Sequence, residues 1–570
     1  MKKLIFLYIV LFVGLAGCND QLNQYPPNQI STPTFWKTEN DAQLGLNACY
    51  QISQEMAYDY WYFDGAADIT YAQYPWESAA TYIAAGNISA ATVNGIDNNA
   101  NGDYSTGYSY STINLCNLFL DNIDNVQMDD AAKQAYIGEV RFLRAFKYFL
   151  MAYQFGDVPL VTTSSTSDLL NNQLTPTKES DIITFVLNEL DAAAQALPAT
   201  PVDVSRASQG AALALKARIE LIYGNYADAA KDAQAVMNLG KYSLFKLSSL
   251  SATDVLDDYS KFVTFSNDQD SINFYLGLRS YQEQYYKSNE SSNPELIFVT
   301  MYTTMPQYQY YQNFTSGLNT VHLPSELNGW SSLTPTQSMV DAYWNRDGST
   351  HVPLDNATRA TLYNYPNTPD PAYFNDFKNR DPRLYASILF TGNEWNAYQD
   401  AYSFTWSKGG PNNSQTGYNY RKLVDPAYAS LPEYLGGQSF PLLRYAEVLL
   451  TYAEAKNELG GPDQTVYDAL NQIRDRVSMP PVDKTTYGSQ DALRQLIRNE
   501  RLIELGEEGS RYFDIRRWNI ASQVMTSIYD PTNSLVQTRT WQSNFVKLPY
   551  PQVAVDRNPS LQAAQTAKGY

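Results

Sequence analysis

The chain has 570 residues, with 40 lysines and arginines against 59 aspartates and glutamates, and a formal net charge of −19. Such an acidic surface repels a phosphate backbone, and no basic patch interrupts it, which argues against nucleic acid as a ligand. The two histidines, His322 and His351, stand far apart in no ligand-like spacing, so the pattern indicates neither a two-histidine metal site nor a histidine-based triad.

The first residues have the pattern of an export signal. Lys2 and Lys3 precede an apolar run over 4–13 that is too short to span a bilayer. The run ends in Leu15-Ala16-Gly17-Cys18, which resembles the bacterial lipobox. We therefore expect residues 1–17 to be a lipoprotein signal peptide, and Cys18 to be lipidated and to hold the protein on a membrane. The alternative is an ordinary secretory signal in which Cys18 is incidental.

Residues 18–38 are mostly polar, include three prolines and are predicted to form an extended tether. The next part of the chain, 39–240, has helical periodicity and is predicted to be an N-terminal helical domain. Helices are predicted over 39–58, 110–126, 131–155 and 179–197. A helical hairpin follows, which turns at Gly224-Asn225-Tyr226 and resembles a tetratricopeptide hairpin because small residues follow the turn.

A long segment, 241–435, is rich in Tyr, Asn, Ser, Thr, Pro and Gly and has little helical period. A second hairpin, turning at Gly460-Gly461-Pro462, lies in the C-terminal part, 436–570. Two hairpins so far apart favour one helical scaffold interrupted by an insertion. Long irregular segments in compact proteins are usually functional, so we expect the insertion to carry a binding face. The predicted fold class is therefore mostly α, with a tetratricopeptide-like scaffold and a loop-rich insertion.

Two further features are assigned to the core. Cys49 and Cys116 lie on helix-like apolar segments and are predicted to be buried thiols, with a disulfide left open as the alternative. Glu500 falls where the apolar stripe of its helix should continue. A carboxylate on a packed face needs a cationic partner, so we predict a buried ion-pair network and not a catalytic site. The candidate partners are Arg444, Arg474, Arg511, Arg516 and Arg517.

Several segments in order are similar to the SusD/RagB family of outer-membrane nutrient-binding lipoproteins. They are Asp381-Pro382-Arg383-Leu384, Leu443-Arg444-Tyr445-Ala446-Glu447, Tyr452-Ala453-Glu454-Ala455, Leu470-Asn471-Gln472-Ile473-Arg474, Ile497-Arg498-Asn499-Glu500-Arg501, Arg511-Tyr512-Phe513-Asp514-Ile515-Arg516-Arg517-Trp518 and the ending Asn558-Pro559 with Gly569-Tyr570. The resemblance implies a lipid-anchored protein on the surface of the outer membrane, and a partner TonB-dependent transporter resembling SusC. It also implies capture of a glycan between the N-terminal loop region and the insertion.

Two aromatic clusters lie in those regions, in segments that are predicted to be loops. One runs from Tyr60-Trp61-Tyr62 to Tyr82, and the other runs from Tyr281 to Trp330. A sugar ring needs a flat aromatic platform with short polar side chains at its edge. We therefore expect Trp76, Tyr74, Tyr310 and Trp330 to be platforms, and Asp68 and Asn101 to bind sugar hydroxyls. Most other rings of these clusters are expected to pack beneath the loops.

The competing functions are capture of peptide or protein, as in RagB-like members of the family, and hydrolysis of a glycan at the cell surface. Glycoside hydrolysis needs two placed carboxylates, and no spaced acid motif points to a pair. No Gly-x-Ser-x-Gly elbow and no phosphate-binding glycine loop occur. We therefore predict a binding protein with no catalytic residue, no cofactor and no metal site, since no EF-hand-like spacing occurs either.

Overall fold

The structure is a computed structural model that describes residues 35–75, 77–93, 107–164, 174–201, 203–303, 317–429 and 436–570. The predicted signal peptide, Cys18 and most of the tether lie outside the described residues, as do Trp76, Asn101 and Tyr310. Within the described ranges, no helix combines the length and the apolar character that crossing a membrane would require.

The N-terminal part is helical, as predicted. Its helices are α1 (Glu39–Cys49), α2 (Gln51–Phe63), α3 (Ser78–Ala85), α4 (Ser111–Asn122), α5 (Asp130–Phe155), α6 (Glu179–Ala196), α7 (Gln209–Ile222) and α8 (Tyr226–Asn238). The helix predicted over 39–58 is two helices, α1 and α2, that meet at Tyr50. The boundaries follow local capping: Asp129 caps α5 by accepting from the Ala132 amide, and the helix ends at Gly156, whose φ is 75°. Cys49 and Cys116 are fully buried with free thiols.

The insertion is mostly loop and short elements. Its helices are α9 (Asp268–Glu283), α10 (Leu318–His322), α11 (Gln337–Ala342), α12 (Asn356–Tyr363) and α13 (Pro382–Ser387). The 16-residue helix α9 was not predicted, because its sequence is polar and rich in tyrosine. The strands within or beside the insertion are β1 (Thr70–Ala72), β2 (Leu296–Thr300), β3 (Leu333–Pro335), β4 (Ile388–Leu389), β5 (Asn419–Tyr420) and β6 (Phe440–Arg444). They form antiparallel pairs β1–β3, β2–β6 and β4–β5.

The C-terminal part is again mostly helical and contains a short β-hairpin. Its elements are α14 (Tyr445–Gly460), α15 (Gln464–Arg476), α16 (Gln490–Leu505), α17 (Ser510–Arg517), α18 (Ala521–Val524), β7 (Ile528–Tyr529), β8 (Leu535–Gln537), α19 (Gln552–Arg557) and α20 (Leu561–Ala567). The hairpin α7–α8 packs against α14. Arg218 on α7 donates from Nε to Glu447 Oε1 on α14 at 2.6 Å, within the buried contact. The two hairpins therefore belong to one scaffold, as predicted.

Glu504 on α16 is the centre of a buried ion-pair network. Arg383 Nη1 lies 3.0 Å from Glu504 Oε2, Arg444 Nη1 lies 2.8 Å from Oε1, and Arg476 also pairs with Oε1. Burial raises the pKa of Glu504, but the charges of Arg476, Arg444 and Arg383 outweigh that effect and hold it well below its usual value. The network joins β6 and α15 to α16 and to the insertion, because Arg383 belongs to α13.

Glu500 has the cationic partners that its position demands. Arg383 Nη2 lies 2.6 Å from Glu500 Oε1, and Arg474 Nη1 lies 3.5 Å from Oε2. The prediction of a buried ion pair is confirmed, and Arg474 was among the candidate partners. Arg383, the nearer partner, was missed because it comes from a distant segment of the chain. The other candidates contact other groups: Arg444 pairs with Glu508, Arg511 with Asp68 and Arg517 with Glu454, while Arg516 lies over the Tyr512 ring.

Candidate ligand-binding site

Tyr74, Trp330 and Asn412 come from three distant parts of the chain and meet at one place. The Tyr74 hydroxyl lies 2.9 Å from the Trp330 carbonyl oxygen and 2.5 Å from Asn412 Oδ1. All three residues are partly exposed. The Tyr74–Trp330–Asn412 cluster therefore brings two aromatic residues and one amide to the same part of the surface. Tyr74 and Trp330 are two of the four platforms predicted from the sequence.

The short β1–β3 ladder explains why Tyr74 and Trp330 meet. In this pair Tyr71 lies opposite Thr334, and Ala72 lies opposite Leu333. The pairing continues for one more hydrogen bond, from the Gln73 amide to the Ser332 carbonyl oxygen at 2.9 Å. The residues just past this end of the ladder are Tyr74 on one strand and the segment before Ser332 on the other, so backbone register places them side by side.

The loop before β3 holds Trp330 in one backbone conformation. The Trp330 amide donates to the Thr320 carbonyl oxygen at 2.7 Å, and the Ser331 amide donates to that of Leu323 at 2.8 Å. Gly329 lies so close to Leu323 that a Cβ on it would sit 2.0 Å from the Leu323 carbonyl oxygen. Ser331 has a φ of 49°, a conformation that costs a non-glycine residue about 1–2 kcal/mol. Surrounding contacts offset that strain, which is typical of a functional loop.

Ser331 connects the Trp330 loop to the rest of the site. Its hydroxyl donates to the Asn412 carbonyl oxygen at 2.8 Å and accepts from Asn419 Nδ2 at 3.0 Å. The side chain is fully buried. Because the hydroxyl serves both as donor and as acceptor, the Trp330 loop, the Asn412 loop and β5 are fixed to one another behind the exposed cluster.

Asn412 is a site residue that the sequence reasoning missed. It has a φ of 56° and lies in the turn-forming run Gly409-Gly410-Pro411-Asn412-Asn413. The neighbouring Asn413 donates from Nδ2 to the Ser407 carbonyl oxygen at 3.1 Å and accepts from the Ser325 hydroxyl at 2.9 Å. This run places two amide side chains at the tip of a loop, and that composition was the signal that could have identified it.

A buried carboxyl group lies under the turn that carries Tyr74. Glu77 is 3% exposed, and its Oε2 accepts from the Tyr74 amide at 2.9 Å. Burial raises the pKa of Glu77 to about 8, despite the hydrogen bond from the Tyr74 amide. At neutral pH the folded protein therefore keeps this group protonated.

Glu77→Gln tests this account through the pH dependence of stability. Because the pKa of Glu77 is higher in the folded protein than in the unfolded chain, its stabilising contribution is complete below the unfolded value and is lost as pH rises towards 8. Glutamine has no proton to lose, so we expect the variant to match the wild type at pH 5 and to exceed it at pH 9 by about 2–4 kcal/mol. Urea unfolding at the two pH values measures this, with the exposed Glu326→Gln as control. Equal pH profiles of Glu77→Gln and the wild type would contradict it.

Asp68 is buried, and it lies at the other end of β1 from Tyr74. Its carboxylate forms a bidentate ion pair with Arg511, with Oδ1 2.7 Å from Nε and Oδ2 2.8 Å from Nη2. The structure therefore places this predicted hydroxyl partner in a link between β1 and α17, and does not bring it into the Tyr74–Trp330–Asn412 cluster. Of the six predicted ligand-binding residues, Trp76, Asn101 and Tyr310 lie outside the described residues.

Several rings of the two aromatic clusters belong to the core, and two groups of them lie in helices. Tyr60 and Trp61 lie in α2, which corrects the expectation of a loop there, and they are 2% and 3% exposed. Tyr281 lies in α9 and is fully buried, and its hydroxyl donates to the Glu504 carbonyl oxygen at 2.9 Å. Tyr285 and Tyr302 are buried as well. These rings pack under the surface, as expected for most members of the clusters.

One group of side chains in the described part of the chain has the composition of a metal site. The ligand atoms of Asp341, His351 and Asp376 lie within 4.8 Å of one another. Arg359 Nη2 already lies 3.4 Å from Asp341 Oδ1 and 3.2 Å from Asp376 Oδ2. The guanidinium supplies the positive charge that these carboxylates need, so the group is explained as a partly buried ion-pair cluster.

Comparison with known proteins agrees with this architecture. A family model described as the SusD family matches residues 294–570, and one described as "Starch-binding associating with outer membrane" matches residues 28–221. The chain belongs to the SusD family. It is 28% identical over 546 residues to the SusD-like protein P38 of Formosa agariphila, with 94% of each chain covered.

Solved structures extend the likeness to the whole fold. The crystal structure of a SusD-like carbohydrate binding protein from Bacteroides fragilis matches with a TM-score of 0.73 at 26% identity, covering 93% of this chain and 100% of that one. A second SusD-like protein from Bacteroides fragilis matches with a TM-score of 0.74 at 25% identity, covering 94% and 99%. The predicted fold, a mostly helical SusD-like scaffold with a loop-rich insertion, is confirmed.

Proposed function

We propose that this SusD-family protein captures a glycan at the Tyr74–Trp330–Asn412 cluster and holds it without cleaving it. The observation that carries the proposal is the meeting of two partly exposed aromatic residues and an amide on loops that hydrogen bonds fix in place. A sugar ring has an apolar C–H face and a rim of hydroxyls, so it needs an aromatic surface bordered by short polar side chains.

The other predicted residues extend the proposed site. We propose that Trp76 and Tyr310 are further aromatic platforms for the glycan. Asn101 is proposed to bind hydroxyl groups of the glycan. We propose that Asp68 acts on the site indirectly, since its ion pair with Arg511 fixes the segment that leads into β1.

The family gives independent support for a carbohydrate ligand. One matching family model is described as starch-binding and outer-membrane-associated, and one matching structure is that of a SusD-like carbohydrate binding protein. We propose, from the lipobox resemblance, that Cys18 anchors this protein to the outer membrane at the cell surface, and that a SusC-like TonB-dependent transporter receives the glycan. Mass spectrometry of the mature N-terminus would reveal an unmodified Cys18 if the anchor is absent. Affinity purification from envelopes would fail to recover a transporter if there is no such partner.

Binding to a panel of ligands tests the function. The purified protein is titrated with soluble starch, laminarin, xylan, arabinan, galactan and mannan, and in parallel with a tryptic digest of casein. We expect at least one polysaccharide to bind and the digest not to bind. Binding of the digest alone would indicate peptide capture instead.

The same samples test for catalysis. Reducing-end assays on each polysaccharide after long incubation with the purified protein should give no increase over the polysaccharide alone. Release of new reducing ends would contradict the proposal of a binding protein and would favour a surface glycoside hydrolase.

A further inference from the structure

Tyr365 is an exposed aromatic residue supported by two buried ones. It lies two positions after the end of α12 and is 40% exposed, while Tyr363 is 3% and Trp406 is 4% exposed. The Tyr365 ring is nearly parallel to that of Tyr363, with an interplanar angle of 9° and centroids 6.5 Å apart. Its centroid lies 5.8 Å from that of Trp406. Packing from below therefore fixes the ring, and among the described residues its hydroxyl makes no hydrogen bond.

The loop that carries Trp406 is attached to the β7–β8 hairpin by polar contacts. Lys408, two positions after Trp406, donates from Nζ to Thr532 Oγ1 at 2.8 Å and to Ser534 Oγ at 2.7 Å. It also pairs with Asp530 Oδ2 at 2.7 Å. These contacts attach the loop that carries Trp406 to the β7–β8 hairpin.

The same loop connects this surface to the Tyr74–Trp330–Asn412 cluster. Trp406 donates from Nε1 to the Ser414 carbonyl oxygen at 2.7 Å. Ser414 follows Asn412 by two positions, so their Cα atoms are at most about 7 Å apart. The buried ring that supports Tyr365 is therefore hydrogen-bonded to the loop that places Asn412, so Trp406 links Tyr365 to that loop.

We infer that Tyr365 is a second stacking platform, which binds a further sugar residue of the glycan chain held by the Tyr74–Trp330–Asn412 cluster. The inference rests on the proposed function. An exposed ring locked by packing loses little conformational entropy when it binds, so a fixed Tyr365 ring suits the apolar face of a sugar. A long chain would engage both surfaces at once, and a short fragment only one, so the second platform increases the affinity for the polymer.

Tyr365→Ala tests the inference by isothermal titration. The probes are the panel polysaccharide that binds most tightly and the tri- and tetrasaccharides made from it by partial acid hydrolysis. We expect Tyr365→Ala to weaken binding of the polymer by roughly 3- to 10-fold, and to leave the affinity for the trisaccharide as in the wild type. Tyr365→Phe keeps the ring and should bind the polymer like the wild type. Melting temperatures of both variants check that the fold is unchanged.

The outcomes separate this inference from the proposed function. If the polymer binds Tyr365→Ala as tightly as the wild type, the second platform is wrong while glycan capture stands. If Tyr365→Ala and Tyr365→Phe both weaken binding of the trisaccharide, Tyr365 belongs to the primary site and the inference is again wrong. If no polysaccharide binds the wild type, the proposed function fails and the second platform fails with it.

Discussion

Glu504→Gln should lower the free energy of unfolding by about 3–5 kcal/mol, because it removes the one negative charge shared by Arg383, Arg444 and Arg476. All four side chains are at most 2% exposed, so water cannot replace the lost carboxylate. Glutamine has the same shape but offers an amide group to three guanidinium groups. The cost is therefore mainly the burial of uncompensated positive charge.

Urea unfolding of the wild type and the variant measures this effect. Asp475→Asn is a matched control, since it removes an ion pair with Lys246 at the surface, where the Asp475 side chain is 75% exposed. Such a pair is worth at most about 1 kcal/mol. A loss of stability in Glu504→Gln no larger than in the control would show that the network does not stabilise the fold. Glycan affinity of the folded variant should equal that of the wild type, because Glu504 is buried in the scaffold.

Gly329→Ala should weaken glycan binding by roughly 10-fold or more and lower the free energy of unfolding by about 1–3 kcal/mol. The added Cβ would lie 2.0 Å from the Leu323 carbonyl oxygen, which is backbone and cannot swing aside. The loop must therefore move, and both the Trp330–Thr320 and the Ser331–Leu323 hydrogen bonds are affected. The platform is displaced although no ligand-contacting side chain has changed.

The readouts are polysaccharide titration and thermal melting. Gly460→Ala is the matched control, because a Cβ at Gly460 meets no atom within 4 Å and the residue ends a helix. We expect the control to bind as the wild type does and to keep or slightly raise the melting temperature. Wild-type affinity in Gly329→Ala would mean that the Trp330 loop takes no part in the site.

Local patterns predicted the scaffold well. Apolar periodicity located α5 and α6 within one residue of their observed bounds, and turn residues located both helical hairpins. The need of a buried carboxylate for a cation predicted the ion pairs of Glu500. The helices and turns were predicted because each depends on residues close together in the sequence. The ion pairs were predicted because any fold must pair a buried carboxylate with a cation.

Contacts between residues far apart in the chain could not be predicted from the sequence. Tyr74 and Trp330 were expected in the site on composition and family resemblance, but their direct contact depends on the β1–β3 register across more than two hundred residues. Asn412 was missed because its loop reaches the site only in the folded chain. Likewise, burial by neighbours from other segments decided that Tyr60 and Tyr281 are core rings.

The most direct test of glycan capture at this site is isothermal titration of Trp330→Ala with the panel polysaccharide that the wild type binds. Loss of the platform should weaken binding at least about 10-fold, equivalent to about 1.4 kcal/mol. Trp518→Ala, which removes another partly exposed tryptophan on the scaffold, should leave the affinity unchanged. Wild-type affinity in a folded Trp330→Ala would contradict the proposal that this cluster holds the ligand.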